Sequence, residues 1–138
     1  MRASASLPRP PEPPNHGRPS RHAQSVPSGL VTTDEVIAKL EEITDRLPGG
    51  GQRRSGQLDM ATAVAQAIAN RFHLVARAGT GTGKSLAYLV PAVMSGRTTV
   101  IATATKALQD QLAEKDLPFL DEVLGVRWAV VKGRANYV

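Results

Sequence analysis

The chain has 138 residues and no cysteine, 41% of its residues are hydrophobic, and its formal net charge is +5. This length allows one domain at most. Without cysteine the chain forms no disulfide and offers no thiolate to a metal. No apolar run approaches the length of a membrane span, and the first residues lack the apolar core of a secretory signal. We therefore expect a cytoplasmic protein that does not contact a membrane.

The first 29 residues differ in composition from the rest. They hold seven of the ten prolines and carry a net charge of +3, which leaves +2 for the remaining chain. A segment with so few apolar residues cannot bury enough surface to fold, so we predict a disordered tail over residues 1–29. The tail is a solvated extension, a weak and salt-sensitive contact for phosphates, or the product of a start codon placed too far upstream. The folded part is predicted to span residues 30–138.

The sequence is organised around a glycine-rich stretch that fits a phosphate-binding P-loop, with alanine in place of the first glycine. The glycines let the backbone approach phosphate oxygens, and the following helix aims its N-terminal N–H groups at the same charges. We predict Lys84 and Ser85 as the catalytic residues: Lys84 reaches the β- and γ-phosphates, and Ser85 binds Mg²⁺. The predicted nucleotide-binding residues of this stretch are Ala78, Gly79, Thr80, Gly81, Thr82, Gly83, Lys84 and Ser85.

Helical and strand patterns alternate along the folded part. Helical spacing of apolar residues runs from Thr32 to about Arg46, from Ser55 or Gln57 to near Asn70, and after the P-loop to about residue 95. A fourth helix is predicted from residue 105 or 106, ending at Pro118. Nearly continuous apolar runs at 72–76, 99–103 and 126–131 predict buried parallel strands. The alternation predicts an α/β fold with right-handed crossovers.

Two local signals refine these helices. Thr32 and Glu35 have the spacing of a capping box, which fixes the start of the first helix. Pro91 lies inside the apolar pattern of the third helix and is expected to kink or shorten it. Gly96 suits the C-terminal end of that helix, because glycine readily adopts the left-handed conformation found there.

Three further stretches accompany the P-loop: Arg54–Ala61, Thr103–Leu112 followed by Lys115–Pro118, and Val131–Tyr137. In this order they closely resemble the DinG family of bacterial DNA helicases, in the iron–sulfur, XPD-like branch of helicase superfamily 2. The resemblance covers roughly residues 30–138. It implies a RecA-like parallel sheet with flanking helices, here incomplete, and ATP and Mg²⁺ as ligands. It also implies 5′-to-3′ movement on single-stranded DNA, or on DNA with a single-stranded overhang.

The resemblance assigns roles to individual side chains. Arg54 and Gln57 match the R-x-x-Q element that reads adenine, and a glutamine amide has the donor and the acceptor that this edge requires. Thr103, Thr105 and Gln109 match motif Ia, which lies against the backbone of single-stranded DNA. The alternative for Thr105 is that it caps a helix.

Four other residues are assigned without a motif. Lys132 and Arg134 either contact DNA phosphates or form a solvated strand end. His73 and Trp128 are interpreted as packing residues and not as ligands or stacking platforms.

The sequence holds only part of the elements of this family. In the family a cysteine follows the Lys132–Tyr137 element and begins a four-cysteine iron–sulfur site, and a D-E-x-H element and a second RecA-like domain with an arginine finger come later. We therefore predict the N-terminal part of the first motor domain, with a [4Fe–4S] cluster only in the full-length protein. A cysteine is expected to be encoded just past Val138. The alternatives are a truncated nucleotide-binding fragment without activity and a P-loop kinase of a small molecule.

Overall fold

The computed structural model describes residues 31–47, 54–79, 81 and 83–133. Its helices are α1 (Thr33–Asp45), α2 (Ser55–Asn70), α3 (Lys84–Met94), α4 (Lys106–Gln111) and α5 (Leu117–Leu124), and the π-helical segment Leu112–Asp116 joins α4 to α5. None of the helices in these ranges is long and apolar enough to cross a membrane. The predictions for residues 1–29, Thr80, Thr82 and 134–138 lie outside the described residues.

Helix α1 begins with the predicted capping box. The Glu35 N–H donates to Thr32 Oγ1 at 3.3 Å, and the Thr32 N–H donates to Glu35 Oε2 at 2.7 Å. Two N–H groups that the helix itself leaves unpaired are thereby satisfied. One face of α1 is completely buried and consists of Val36, Leu40 and Ile43. The cap sets the residue at which α1 begins.

The core lies where α1, α2 and α3 pack together. Helix α3 contributes the largest share of the buried residues, because α1, α2 and the π-helical segment all contact it. Ala61 of α2 is fully buried, and its small side chain permits close approach of neighbouring elements. Pro91 does not end α3, which continues to Met94, and Gly96 follows with a φ of 65°, as predicted for the residue after the helix end.

The predicted strands are not formed in the part of the chain that the structure describes. Residues 72–76, 99–103 and 126–131 are neither helical nor paired by β-ladder hydrogen bonds. The prediction assumed apolar runs buried on both faces, but Val75, Val100 and Val131 are 97%, 89% and 90% exposed. A strand is stabilised by hydrogen bonds from a neighbour on its edge, and in these ranges no segment provides that neighbour. The parallel sheet predicted from these three runs is therefore not formed in the described residues.

The predicted helix end at Pro118 is also wrong. The chain stays helical from Lys106 to Leu124, and Pro118 lies in the first turn of α5. A proline is tolerated there because the first turn of a helix needs no N–H donor. The π-helical segment just before it widens the helix, and Leu112 in that segment is buried in the core.

Candidate nucleotide-binding site

The predicted P-loop leads directly into α3. Gly83 is the N-cap of α3 and has a φ of 72°, and Gly81 has the same φ. Residues with a side chain rarely adopt this left-handed conformation, so glycine is favoured at both positions. Lys84 and Ser85 form the start of the first turn of α3. The loop therefore has the helix side of the strand–loop–helix context expected of a P-loop, a glycine turn opening a helix, whereas residues 72–76 before it form no strand.

Gln57 lies against the last glycine of this loop. Its side chain is buried, with 5% of the residue exposed, and its Nε2 donates to the Gly83 carbonyl at 3.1 Å. A Cβ at Gly83 would lie 2.3 Å from Gln57 Nε2, whereas a Cβ at Gly81 would meet nothing within 4 Å. A hydrogen bond thus joins the R-x-x-Q element to the glycine-rich loop. Gly83 lacks a side chain for two reasons, its positive φ and the space that the Gln57 amide occupies.

Arg54 stands at the N-terminal end of the helix that carries Gln57. It is the N-cap of α2, and its carbonyl accepts from the Gln57 N–H at 2.9 Å. Its side chain makes no capping hydrogen bond and is exposed. The R-x-x-Q spacing therefore places both residues in one turn, with the glutamine directed inward and the arginine at the surface.

Lys84 is folded back over its own loop. Its Nζ donates to the carbonyl of Ala78 at 3.0 Å and to the carbonyl of Gly79 at 2.6 Å. Both acceptors belong to the predicted P-loop, so the ammonium group lies at the loop and not in bulk solvent. A charged donor held in this way is available to a phosphate that replaces the two carbonyls.

Tyr88, one turn after Ser85, was not singled out from the sequence. Burial raises the pKa of its hydroxyl, a hydrogen bond with the Ser85 side chain lowers this pKa, and the nearby negative charge of Asp116 raises it. The net effect is a pKa above the ordinary value, because burial is the largest of these causes. The i, i+3 spacing of Ser85 and Tyr88 places both residues on the same face of α3.

The predicted DNA-contact residues cluster at the start of α4. Thr105 is the N-cap, and its Oγ1 accepts from the Leu108 N–H at 3.3 Å, as the capping alternative expected. Thr103 Oγ1 donates to the Thr105 carbonyl, and Gln109 Nε2 donates to the Val131 carbonyl, each at 3.3 Å. Each side chain thus has a local partner, and contact with DNA stays a prediction.

The third apolar segment ends beside the same helix. Lys132 Nζ lies 3.8 Å from Asp110 Oδ1, in a half-exposed ion pair. Together with the bond from Gln109 to Val131, this pair brings residues 131–132 to α4. His73 and Trp128, in contrast, are both exposed, so their interpretation as packing residues is not supported. The segments that carry them are covered on too few sides to bury an aromatic ring.

An open groove of about 560 Å³ lies between the C-terminal end of α2 and residues 95–100. Arg71 and Arg97 line it together with apolar side chains, and Arg97 Nη1 donates to the Ile68 carbonyl at the end of α2. None of the residues predicted to bind nucleotide or DNA lines this groove. The groove is therefore separate from the residues predicted to bind nucleotide or DNA.

Comparison with known proteins agrees with the loop geometry. A family model described as DEAD/DEAH box helicase matches residues 59–137. The ATP-dependent DNA helicase YoaA of Haemophilus influenzae is 50% identical over 91 residues, which are 64% of this chain and 14% of the relative. The ATP-dependent helicase DinG of Mycobacterium tuberculosis is 50% identical over 99 residues, covering 64% of this chain and 15% of the relative. No solved structure gives a significant match.

A further relative carries a different activity in its name. The 3'-5' exonuclease DinG of Bacillus subtilis is 36% identical over 104 residues, which are 71% of this chain and 11% of the relative. The chain thus spans 11% to 15% of the length of these three curated relatives. The matches confirm the resemblance to DinG-type proteins that the motifs indicated.

Proposed function

Because this chain belongs to the DEAD/DEAH box helicase family, we propose that it is the ATP-binding part of a DNA helicase of the DinG type. Membership of this family implies the P-loop NTPase fold. The complete protein would couple ATP hydrolysis to movement on single-stranded DNA and to duplex unwinding. The 5′-to-3′ direction and a [4Fe–4S] cluster in the full-length protein rest on the DinG resemblance alone.

The observation that carries the proposal is the hydrogen bond between Gln57 and Gly83. It brings the element expected to read adenine against the loop expected to hold phosphates. The Gly83 bond uses one N–H of the Gln57 amide, so the second N–H and the carbonyl oxygen remain for a base. An adenine edge presents one acceptor and one donor to such an amide. This arrangement favours ATP over a nucleotide whose base presents a different pattern.

The loop residues fit a triphosphate chemically. Lys84 exchanges its two carbonyl acceptors for β- and γ-phosphate oxygens, with which a charged donor forms stronger hydrogen bonds. The N-terminus of α3 adds N–H groups and a positive dipole end. Mg²⁺ binds commonly through substrate phosphates and few protein ligands, so the Ser85 hydroxyl suffices as the ligand from this loop. When bound, the ion offsets the charge of the phosphates.

Single-stranded DNA is the partner that we propose for the start of α4. Thr103, Thr105 and Gln109 present hydroxyl and amide groups, which suit phosphate and sugar contacts that carry no sequence information. Lys132 lies near them through its ion pair with Asp110 and adds a positive charge. An inactive fragment that binds nucleotide without turnover remains the second candidate, because the chain covers so little of its relatives.

Equilibrium titration with labelled ATP and labelled GTP tests the proposal. The wild-type chain should bind ATP more tightly than GTP. Gln57→Ala should reduce this preference, while Lys84→Ala should weaken both nucleotides. Ser95→Ala, at the opposite end of α3, serves as a control and should change neither. Equal affinity of the wild type for ATP and GTP would contradict the adenine role, and absence of binding would contradict the proposed function.

A further inference from the structure

Two neighbouring contacts join α4 to residues 131–132. Gln109 Nε2 donates to the Val131 carbonyl at 3.3 Å, and Lys132 Nζ lies 3.8 Å from Asp110 Oδ1. The contacts use consecutive residues on each side, so together they fix how the two segments lie beside each other. The Gln109 amide and the Lys132 ammonium group, both proposed to contact DNA, therefore already have partners within the chain.

Asp110 is an unexpected residue on a surface proposed to bind a polyanion. In the sequence of α4, Lys106–Gln111, it is the only acidic residue, and it does not cap the helix, because the N-cap is Thr105. The side chains of Asp110 and Lys132 are 34% and 37% exposed, so a ligand can reach both charges. A carboxylate at this place repels phosphates and offsets the positive charge that would attract them.

The ion pair of Lys132 and Asp110 is a contact that a phosphate can replace. Its 3.8 Å separation is longer than the distance of about 2.7–2.9 Å found in hydrogen bonds between charged groups. A phosphate oxygen at that shorter distance would form a stronger contact with the ammonium group. Exposed ion pairs contribute little to stability, so the exchange does not endanger the fold.

We propose that Asp110 competes with the phosphates of single-stranded DNA for Lys132, and that it thereby keeps the DNA affinity of this surface low. The inference rests on the proposed DNA contact at the start of α4. Binding exchanges the pair of Lys132 and Asp110 for a pair of Lys132 and phosphate. When the DNA leaves, Asp110 takes the ammonium group back, so the contact is easily released. A protein that moves along a strand requires contacts of this kind.

The test is an anisotropy titration of fluorescent oligothymidine with the whole 138-residue chain. Asp110→Asn removes the charge and keeps the size of the side chain, and it should raise the affinity about two- to fivefold, the range of an exposed ion pair. Asp110→Glu keeps the charge and should not reproduce this gain. Asp45→Asn removes an exposed carboxylate at the end of α1 and measures the effect of net charge alone, which should be smaller.

A double-mutant cycle separates competition for Lys132 from simple repulsion of DNA. In a Lys132→Ala background, Asp110→Asn should raise the affinity no more than Asp45→Asn does, because the cation for which Asp110 competes is gone. Added salt should reduce the gain from Asp110→Asn, since salt screens exposed charges. Urea unfolding followed by circular dichroism checks that the variants are folded.

Four outcomes would overturn the inference. An equal gain from Asp110→Asn with and without Lys132 would show that Asp110 only repels DNA. A gain no larger than that of Asp45→Asn would be an effect of net charge, and a gain that salt leaves unchanged would be structural. DNA binding that Asp110→Asn does not alter would overturn the inference and leave the proposed DNA contact in place. Absence of DNA binding by the wild type, in contrast, would overturn both.

Discussion

The side chain of Gln57 and the backbone of Gly83, 26 residues apart in the chain, are joined by a 3.1 Å hydrogen bond at the start of α3. The contact is close enough that a methyl group on Gly83 would overlap the amide. The last glycine of the loop therefore meets two demands, a left-handed backbone and space for a buried side chain.

Alanine at the two glycines should separate these demands. Gly81 and Gly83 share a φ of 72°, so each alanine variant bears the strain of that conformation, about 1 kcal/mol. Gly83→Ala must also displace the buried Gln57 amide, and we expect a further loss of about 1–3 kcal/mol in unfolding free energy. Urea unfolding followed by circular dichroism measures the difference. In a Gln57→Ala background the two variants should become alike, and a difference that persists would contradict the contact.

Loss of the loop lysine should weaken nucleotide binding severely. Lys84→Ala removes the ammonium group that donates to the Ala78 and Gly79 carbonyls, and it leaves the phosphates without their point charge. Labelled ATP titrated at constant salt measures the effect. The matched control is Lys39→Ala on α1, which removes a lysine paired with Glu42 away from the loop. Equal ATP affinities of Lys84→Ala and the wild type would contradict the P-loop assignment.

We expect this chain alone to bind ATP without turning it over. The sequence contains no D-E-x-H element. The acidic residues of such an element would hold Mg²⁺ and orient water, which supports the chemical step in phosphoryl transfer. Phosphate release from the purified chain, with and without single-stranded DNA, provides the measurement. A release rate that Lys84→Ala abolishes would show that the expectation is wrong.

DNA binding should depend on the side chains gathered at α4. Gln109→Ala and Lys132→Ala should each lower affinity for a fluorescent oligothymidine, and Lys132→Ala should also reduce the salt dependence because one phosphate contact is lost. Anisotropy titrations at several salt concentrations measure both quantities. Lys39→Ala again serves as the control, and an unchanged affinity in both Gln109→Ala and Lys132→Ala would contradict the proposed DNA contact.

The capping box predicts how stability responds to acid. The hydrogen bond from the Thr32 backbone, followed by the one from its side chain, lowers the pKa of Glu35 below its ordinary value of 4.5. A carboxylate with a lowered pKa stabilises the fold above its unfolded-state pKa, and this contribution is lost as the pH falls through the folded-state value. Glu35→Gln should therefore flatten the loss of unfolding free energy between about pH 5 and pH 3. Identical pH profiles would contradict the prediction.

The features that could be predicted from the sequence depend on residues that are only a few positions apart. The cap formed by Thr32 and Glu35, the start of α2 and the glycine turn before α3 depend on local spacing, and the structure has them where the sequence indicated. The bond between Gln57 and Gly83 could not be derived in this way, because nothing near either residue specifies the other. Pairing of the apolar segments depends likewise on neighbours in space, which apolar composition does not supply.

The wrong prediction of a helix end at Pro118 has a similar cause, because the outcome depends on more than the local sequence. Proline usually ends a helix because it has no N–H to donate and its ring meets the preceding turn. Here the π-helical segment starts a new helical turn just before it, so Pro118 lies at a position that needs no donor. Leu112 in this segment is buried in the core, and the segment contacts α3. These contacts depend on neighbours in space, which the sequence pattern alone does not reveal.

A ligand that binds Lys84 must compete with the two carbonyls that already accept hydrogen bonds from its ammonium group. A ligand must give the ammonium group at least as good a set of oxygens as Ala78 and Gly79 already do. Adenosine monophosphate lacks the β- and γ-phosphates that Lys84 is proposed to bind, so we expect it to bind more weakly. Diphosphates and triphosphates do supply those oxygens. We therefore expect the loop to bind diphosphates and triphosphates more tightly than monophosphates.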